Sequence, residues 1–123
     1  MGNPFETKSN SNWAVGKRCL EANDTNAAAN RFYYALFQAA KGYFVERGDL
    51  EMDHAVKIHA TVANLITPDA KAGSRRGWQR RTLTDLMGLR EIADYYPEDV
   101  DLAELNKILI SSDKVRAEFL QMK

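Results

Sequence analysis

Residues 30–48, Asn-Arg-Phe-Tyr-Tyr-Ala-Leu-Phe-Gln-Ala-Ala-Lys-Gly-Tyr-Phe-Val-Glu-Arg-Gly, put aromatic and small side chains on nearly every side of the helix they would form. A helix that is apolar almost all round belongs in the middle of a bundle. The exceptions are Arg31, Tyr34, Gln38 and Lys41, which recur at i, i+3, i+7 and i+10 as one polar stripe. Such a stripe either reaches the surface or lines a polar pocket, because unpaired buried polar groups are costly.

The rest of the chain also reads as helix, with no stretch of period-two alternation. Residues 1–11 are expected to be a flexible N-terminal tail, and residues 12–123 a single helical domain. The predicted helices cover about 12–22, 26–47, 54–66, 76–96 and 102–122. Asn23, Asp24 and Thr25 break the first and cap the second, which stops at Gly48. Asp53 is placed to cap the third, with Ile58, Val62 and Leu65 as its apolar line, and Pro68 ends it. A loop of small residues over 67–75 precedes the fourth helix, which Pro97 stops. Asp101 and Glu104 make a capping-box pattern for the fifth, whose apolar line is Leu102, Leu105, Leu109, Val115 and Phe119. Short connections favour antiparallel neighbours. The expected fold is therefore all-α, an antiparallel up-and-down bundle of four to five helices.

Composition excludes several classes. Seventeen basic residues balance 17 acidic ones, so no global field draws the chain to nucleic acid or membrane. No apolar run approaches the roughly 20 residues that span a bilayer. The polar N-terminus has no signal-peptide core, so a cytoplasmic setting is expected. The lone Cys19 lies in an apolar pattern and reads as a core residue. No His, Cys or carboxylate cluster has metal-ligand spacing, no Gly-rich phosphate loop occurs, and no cofactor is implied.

Charges that cancel overall are segregated locally. Lys71, Arg75, Arg76, Arg80 and Arg81 lie together with no acid among them, whereas Glu91, Asp94, Glu98, Asp99, Asp101 and Glu104 lie together with no base. The four arginines form a candidate basic patch for phosphate, but with no aromatic interleaving beyond Trp78 the stretch reads rather as a solvated face whose charges pair with a neighbour. On the fourth helix, Arg90 follows Leu83 and Leu86 and precedes Ala93 at helical spacing. It therefore points to the apolar side of its own helix, where a guanidinium needs an anionic partner. Asp94, one turn on, is the expected one. His54 opens the predicted third helix; His59 lies inside it, between the apolar and polar sides.

Three ordered segments carry a family resemblance. Asn30–Gly48 resembles the signature helix of the HEPN superfamily, an Arg-x-Tyr-Tyr-Ala-x-Phe-x-Ala-Ala pattern closed by Gly. Lys57-Ile58-His59 is similar to the family's Lys-Thr-His, and Leu89-Arg90-Glu91-Ile92-Ala93-Asp94-Tyr95 to its Leu-Arg-x-x-Ala-Asp-Tyr. The likeness is to the small stand-alone branch and covers about residues 12–120. It implies a helical bundle that dimerises, in a toxin–antitoxin, defence or RNA-processing setting, often beside a small nucleotidyltransferase. Catalytic members resemble metal-independent ribonucleases, built on an Arg followed after four to six residues by His. In that chemistry a His moves a proton and an Arg stabilises the phosphate's developing charge.

This chain departs from that pattern. After Arg90, four intervening residues lead to Tyr95, with Tyr96 next and no His. Tyrosine is a poor base at neutral pH. Arg47 and His54 match the spacing formally but straddle Gly48 and an inter-helix turn. The departure argues for a non-catalytic or weakly catalytic binding module, which the resemblance implies is a homodimer. Arg31, Tyr34, His59, Arg90, Asp94 and Tyr95 would receive a partner nucleotidyltransferase, a nucleotide or RNA. The alternative is a ribonuclease toxin with an Arg90–His59 or Arg90–Tyr95 site; a second alternative is a structural bundle without ligand.

Overall fold

Capping signals set the helix limits. In the computed structural model, which describes residues 3–69 and 71–121, α1 spans Pro4–Glu21. The Asn3 side chain accepts from the Phe5 and Glu6 amides at 3.0 and 3.1 Å. Pro4 fills the first helical position, where a missing N–H is harmless. The expected tail over 1–11 is thus helical from Pro4 onward, and of that segment Met1 and Gly2 lie outside the described residues. Polar anchors, not an apolar stripe, hold these first turns. Asn3 Nδ2 donates to the Gly42 carbonyl at 2.8 Å, and the buried Ser9 hydroxyl donates to the Ala35 carbonyl at 2.6 Å. The Lys41 ammonium lies 4.4 Å from the centre of the Phe5 ring.

Both ends of the turn between the first two helices are closed by the chain itself. Asn23 adopts φ 61°, and the Asn23 and Asp24 amides bond back to Leu20 and Cys19 at 3.0 and 2.9 Å. Asp24 then caps α2, Thr25–Glu46, through the Ala27 amide at 3.1 Å. The same motif ends α2: Gly48 has φ 81°, and the amides of Gly48 and Asp49 bond to Val45 and Phe44. Phe32, Tyr33, Leu36, Phe37 and Phe44 are buried, as the aromatic run requires.

The third helix is shorter than expected. α3 spans Ile58–Ile66 and follows Lys57, whose φ of 50° is left-handed. Asp53 does not cap it, and His54 lies in the preceding turn with Nε2 at 2.9 Å from the Val56 carbonyl. α4, Arg75–Tyr95, is capped by Ser74, and α5, Leu102–Gln121, starts with the Glu104 amide bonded to Asp101. Leu105, Val115 and Phe119 are buried, whereas Leu102, expected in their line, is exposed.

Cross-helix contacts give the topology. Along α2 and α4, Asn30 meets Asp94, Tyr34 meets Arg90 and Tyr43 meets Arg76, so the two run antiparallel. Asn3–Gly42 and Ser9–Ala35 make α1 antiparallel to α2, and α5 returns along α4. These four helices alternate up and down around a core centred on α2. α3 lies in the α2–α4 crossover: His59 touches Tyr33 and Phe37, while Asn64 and Thr67 receive Arg80. Half-buried Cys19 packs against the core. Among the described residues no helix is long and apolar enough to cross a membrane.

Candidate functional site

Where α2, α3 and α4 meet, the Leu83–Leu86 line carries Arg90 inward, as its spacing requires. The Arg90 side chain is only 13% exposed. Its Nη1 lies 3.6 Å from Asp94 Oδ2 and 3.4 Å from the Tyr34 hydroxyl. Its guanidinium carbon stands 5.3, 5.8 and 6.0 Å from the ring centres of Tyr33, Tyr34 and Tyr95. Nε is buried with no partner among the described residues. Asp94 is shared, since Asn30 Nδ2 lies 3.3 Å from each of its oxygens. A guanidinium held among rings by long contacts, with one N–H unmet, has capacity left for an acceptor.

His59, in the first turn of α3, packs 4.6 Å from the Phe37 ring centre and places Nδ1 2.5 Å from the Tyr33 hydroxyl. Burial lowers the His59 pKa, and the charges of Arg90 and Lys41 lower it further. Burial also pushes the Tyr33 phenol well above its ordinary value, against the opposing Arg90 charge. The ring is therefore neutral at pH 7 and the phenol protonated. The network assigns the tautomer: Tyr33 O–H donates to Nδ1, because the reverse arrangement would leave its proton without an acceptor. His59 then carries its own proton on Nε2. It presents a donor, not a lone pair.

Of the six residues expected to bind, Tyr34, His59, Arg90, Asp94 and Tyr95 gather here. Tyr95 is 73% exposed at the edge of the cluster. Arg31 does not join them. The polar stripe of α2 divides: Arg31 reaches Asn12 on α1 at 3.4 Å, and Asn12 also donates to Gln38. Only Tyr34 and Lys41 turn toward the α3 side, Lys41 donating to the His54 carbonyl. Asn30, Tyr33 and Phe37 complete the cluster and were not singled out from the sequence. A tyrosine on the most buried face of the aromatic helix was the available signal, since its hydroxyl must find a partner there.

The basic segment is largely occupied within the fold. Arg75 pairs with Glu118 and stands over Trp78. Arg76 donates to Gln79 and Tyr43. Arg80 donates to Asn64 and the Thr67 carbonyl at 2.8 and 2.7 Å, and Arg81 to the Ala72 carbonyl at 2.8 Å. Among the described residues no group of His, Cys, Asp or Glu could hold a metal ion.

Arg90, the Tyr34 hydroxyl and His59 Nε2–H thus supply donors around Tyr33, which touches both Arg90 and His59. Such a set suits oxygens carrying negative charge. The sequence model of the HEPN domain family matches residues 7–121. No curated protein and no solved structure matches the chain.

Proposed function

The chain belongs to the HEPN domain family, and from that premise we propose that it is a binding module whose Arg90 cluster holds a phosphate of RNA or of a nucleotide. The supporting observation is the state of Arg90: enclosed, with Nε unpartnered and its carboxylate neighbour at 3.6 Å. A phosphate oxygen at the open edge near Tyr95 would satisfy the guanidinium better than Asp94 does, and His59 Nε2–H would add a second donor. This module acts as a homodimer in a toxin–antitoxin, defence or RNA-related system, with a small nucleotidyltransferase as its protein partner.

Fluorescence anisotropy with labelled single-stranded RNA and with a labelled nucleotide tests the reading. The parent protein should bind one of them at low salt. Arg90→Ala should weaken that binding about tenfold or more, the loss of one charge-assisted contact, while still unfolding cooperatively. Equal binding by parent and variant would refute the site.

The His59–Tyr33 bond beside Arg90 favours one other reading, a metal-independent ribonuclease in which a histidine from α3 serves in place of one following Arg90. Its proton on Nε2 suits a general acid but not the base that starts cleavage. RNA cleavage in the presence of a chelator, abolished by His59→Gln, would establish the enzyme.

A further inference from the structure

A second group of cations lies on α2 about three turns and ~15 Å beyond Tyr33. The Tyr43 ring is buried at 7% exposure, and its hydroxyl accepts from two guanidinia, Arg47 Nη1 at 2.6 Å and Arg76 Nη2 at 3.4 Å. Both guanidinia also stand over the Tyr43 ring, at 5.3 and 5.5 Å. Two cations gathered on one neutral oxygen repel each other, and the neighbouring carboxylates do not neutralise both. Asp49 meets Arg47 at 3.1 Å, but in an exposed pair. Glu118 is engaged by Arg75 and by Gln79 Nε2. Among the described residues Arg76 donates only to the neutral Gln79 Oε1, at 3.1 Å, and to the Tyr43 oxygen. The N-terminus of α4, with no acid in its first turn, adds further positive field.

We propose that Arg47, Arg76 and the Tyr43 hydroxyl form a site for a phosphate dianion, supplied by a nucleoside monophosphate or by the terminal phosphate of an RNA. Two planar forks aimed at one point match a tetrahedral dianion better than any single carboxylate could. Binding draws both guanidinia off the phenol oxygen and frees the Tyr43 O–H to donate to a third phosphate oxygen. The entrance lies beside Arg47, whose side chain is 52% exposed. Tyr43 itself reports occupancy. Burial raises its pKa, but the hydrogen bonds and charges of Arg47 and Arg76 outweigh this and hold it below the ordinary phenol value. An anion that engages the guanidinia removes that effect. The site shares no residue with the Arg90 cluster, so its fate is independent of the reading given above.

The test is calorimetric titration at low ionic strength with inorganic phosphate and with a nucleoside 5′-monophosphate, together with ultraviolet titration of Tyr43 referenced to Tyr43→Phe. Phosphate should raise the Tyr43 midpoint. Arg47→Gln and Arg76→Gln should each weaken phosphate binding about tenfold, and Asp49→Asn should tighten it by removing the competing carboxylate. Arg47 and Asp49 are exposed, so their variants report on the site even if Arg76→Gln fails to fold. Three results would overturn the proposal: phosphate binding unchanged in Arg47→Gln, a Tyr43 midpoint indifferent to phosphate, or, in the Arg90→Ala protein, an oligoribonucleotide with a 5′-hydroxyl binding as well as its 5′-phosphorylated form.

Discussion

At the scale of single residues, Arg90 and His59 show how a polar cluster survives inside an aromatic bundle. Arg90 loses little by being removed. Its ion pair is long, Asp94 is 30% exposed, and Asn30 continues to bind Asp94. We expect Arg90→Ala to cost no more than about 1–2 kcal/mol by urea unfolding, the modest value of partly exposed pairs and ring contacts. A loss of several kcal/mol would make the residue chiefly architectural. His59 gives a pH signature. Its folded pKa lies below the unfolded value near 6.5, so the unfolded chain takes up the proton first. Stability is then complete above about pH 6.5 and declines as pH falls below it. His59→Gln should flatten the decline between about pH 6.5 and 5 in thermal melts. Arg90, Asp94 and Tyr34 were legible in the sequence because helical spacing fixes a side chain's direction. Tyr33 was not, because spacing cannot tell a tyrosine that fills a core from one whose hydroxyl orients a histidine on another helix.

At the scale of elements, the ends of helices were legible where a cap and an apolar line agree. Asp101 caps α5 close to its expected start, and α4 starts within a residue of its expected position on a Ser74 cap that was not singled out from the sequence. Where the two signals part, the sequence misleads. α1 starts at Pro4 because Asn3 both caps it and binds the end of α2 across the bundle, a long-range contact without local trace. Asn3→Ala should therefore cost about 1–2 kcal/mol in denaturant unfolding, the upper range for a lost cap. Asp53 resembles a cap, but the backbone bends at Lys57 instead and α3 starts later. The basic half of α4 serves its neighbours. Arg80 and Arg81 hold the ends of the 67–74 connection, and Gly77 lets that connection approach so closely that a Cβ would overlap the Ala72 carbonyl oxygen and lie 2.7 Å from its carbon. Gly77→Ala should cost at least about 2 kcal/mol, since backbone must shift to admit it. Replacing Arg80 and Arg81 together by Ala should lower the melting temperature and leave the salt dependence of any RNA binding unchanged. Were both arginines phosphate contacts, the slope would instead flatten by about 1.4–1.8 units.

At the scale of the molecule, α2 touches every other helix and leaves the α3–α4 edge as the face where polar chemistry collects. That edge also bears exposed Tyr95 and Tyr96 at the end of α4. Large exposed aromatics beside an enclosed arginine suit a two-fold contact. Light scattering at micromolar concentration should give a dimer for the parent and a monomer for the Tyr95→Glu, Tyr96→Glu double variant; a monomeric parent would count against the assembly. The all-helical class and the central place of α2 were legible because an aromatic run has few other solutions. The crossover position of α3 was not, because it depends on contacts made by Arg80 and Tyr33 from other helices. That position has a kinetic consequence. α3 is short, it buries Val62, Ala63 and Ile66, and the chain on both sides of it is irregular. It can leave its seat without unravelling the four long helices. Its amides should therefore exchange with deuterium well ahead of those of α2, through a sub-global opening of lower free energy than complete unfolding. Each such opening would bare His59 and Tyr33 to water, an intermittent door to the centre of the bundle.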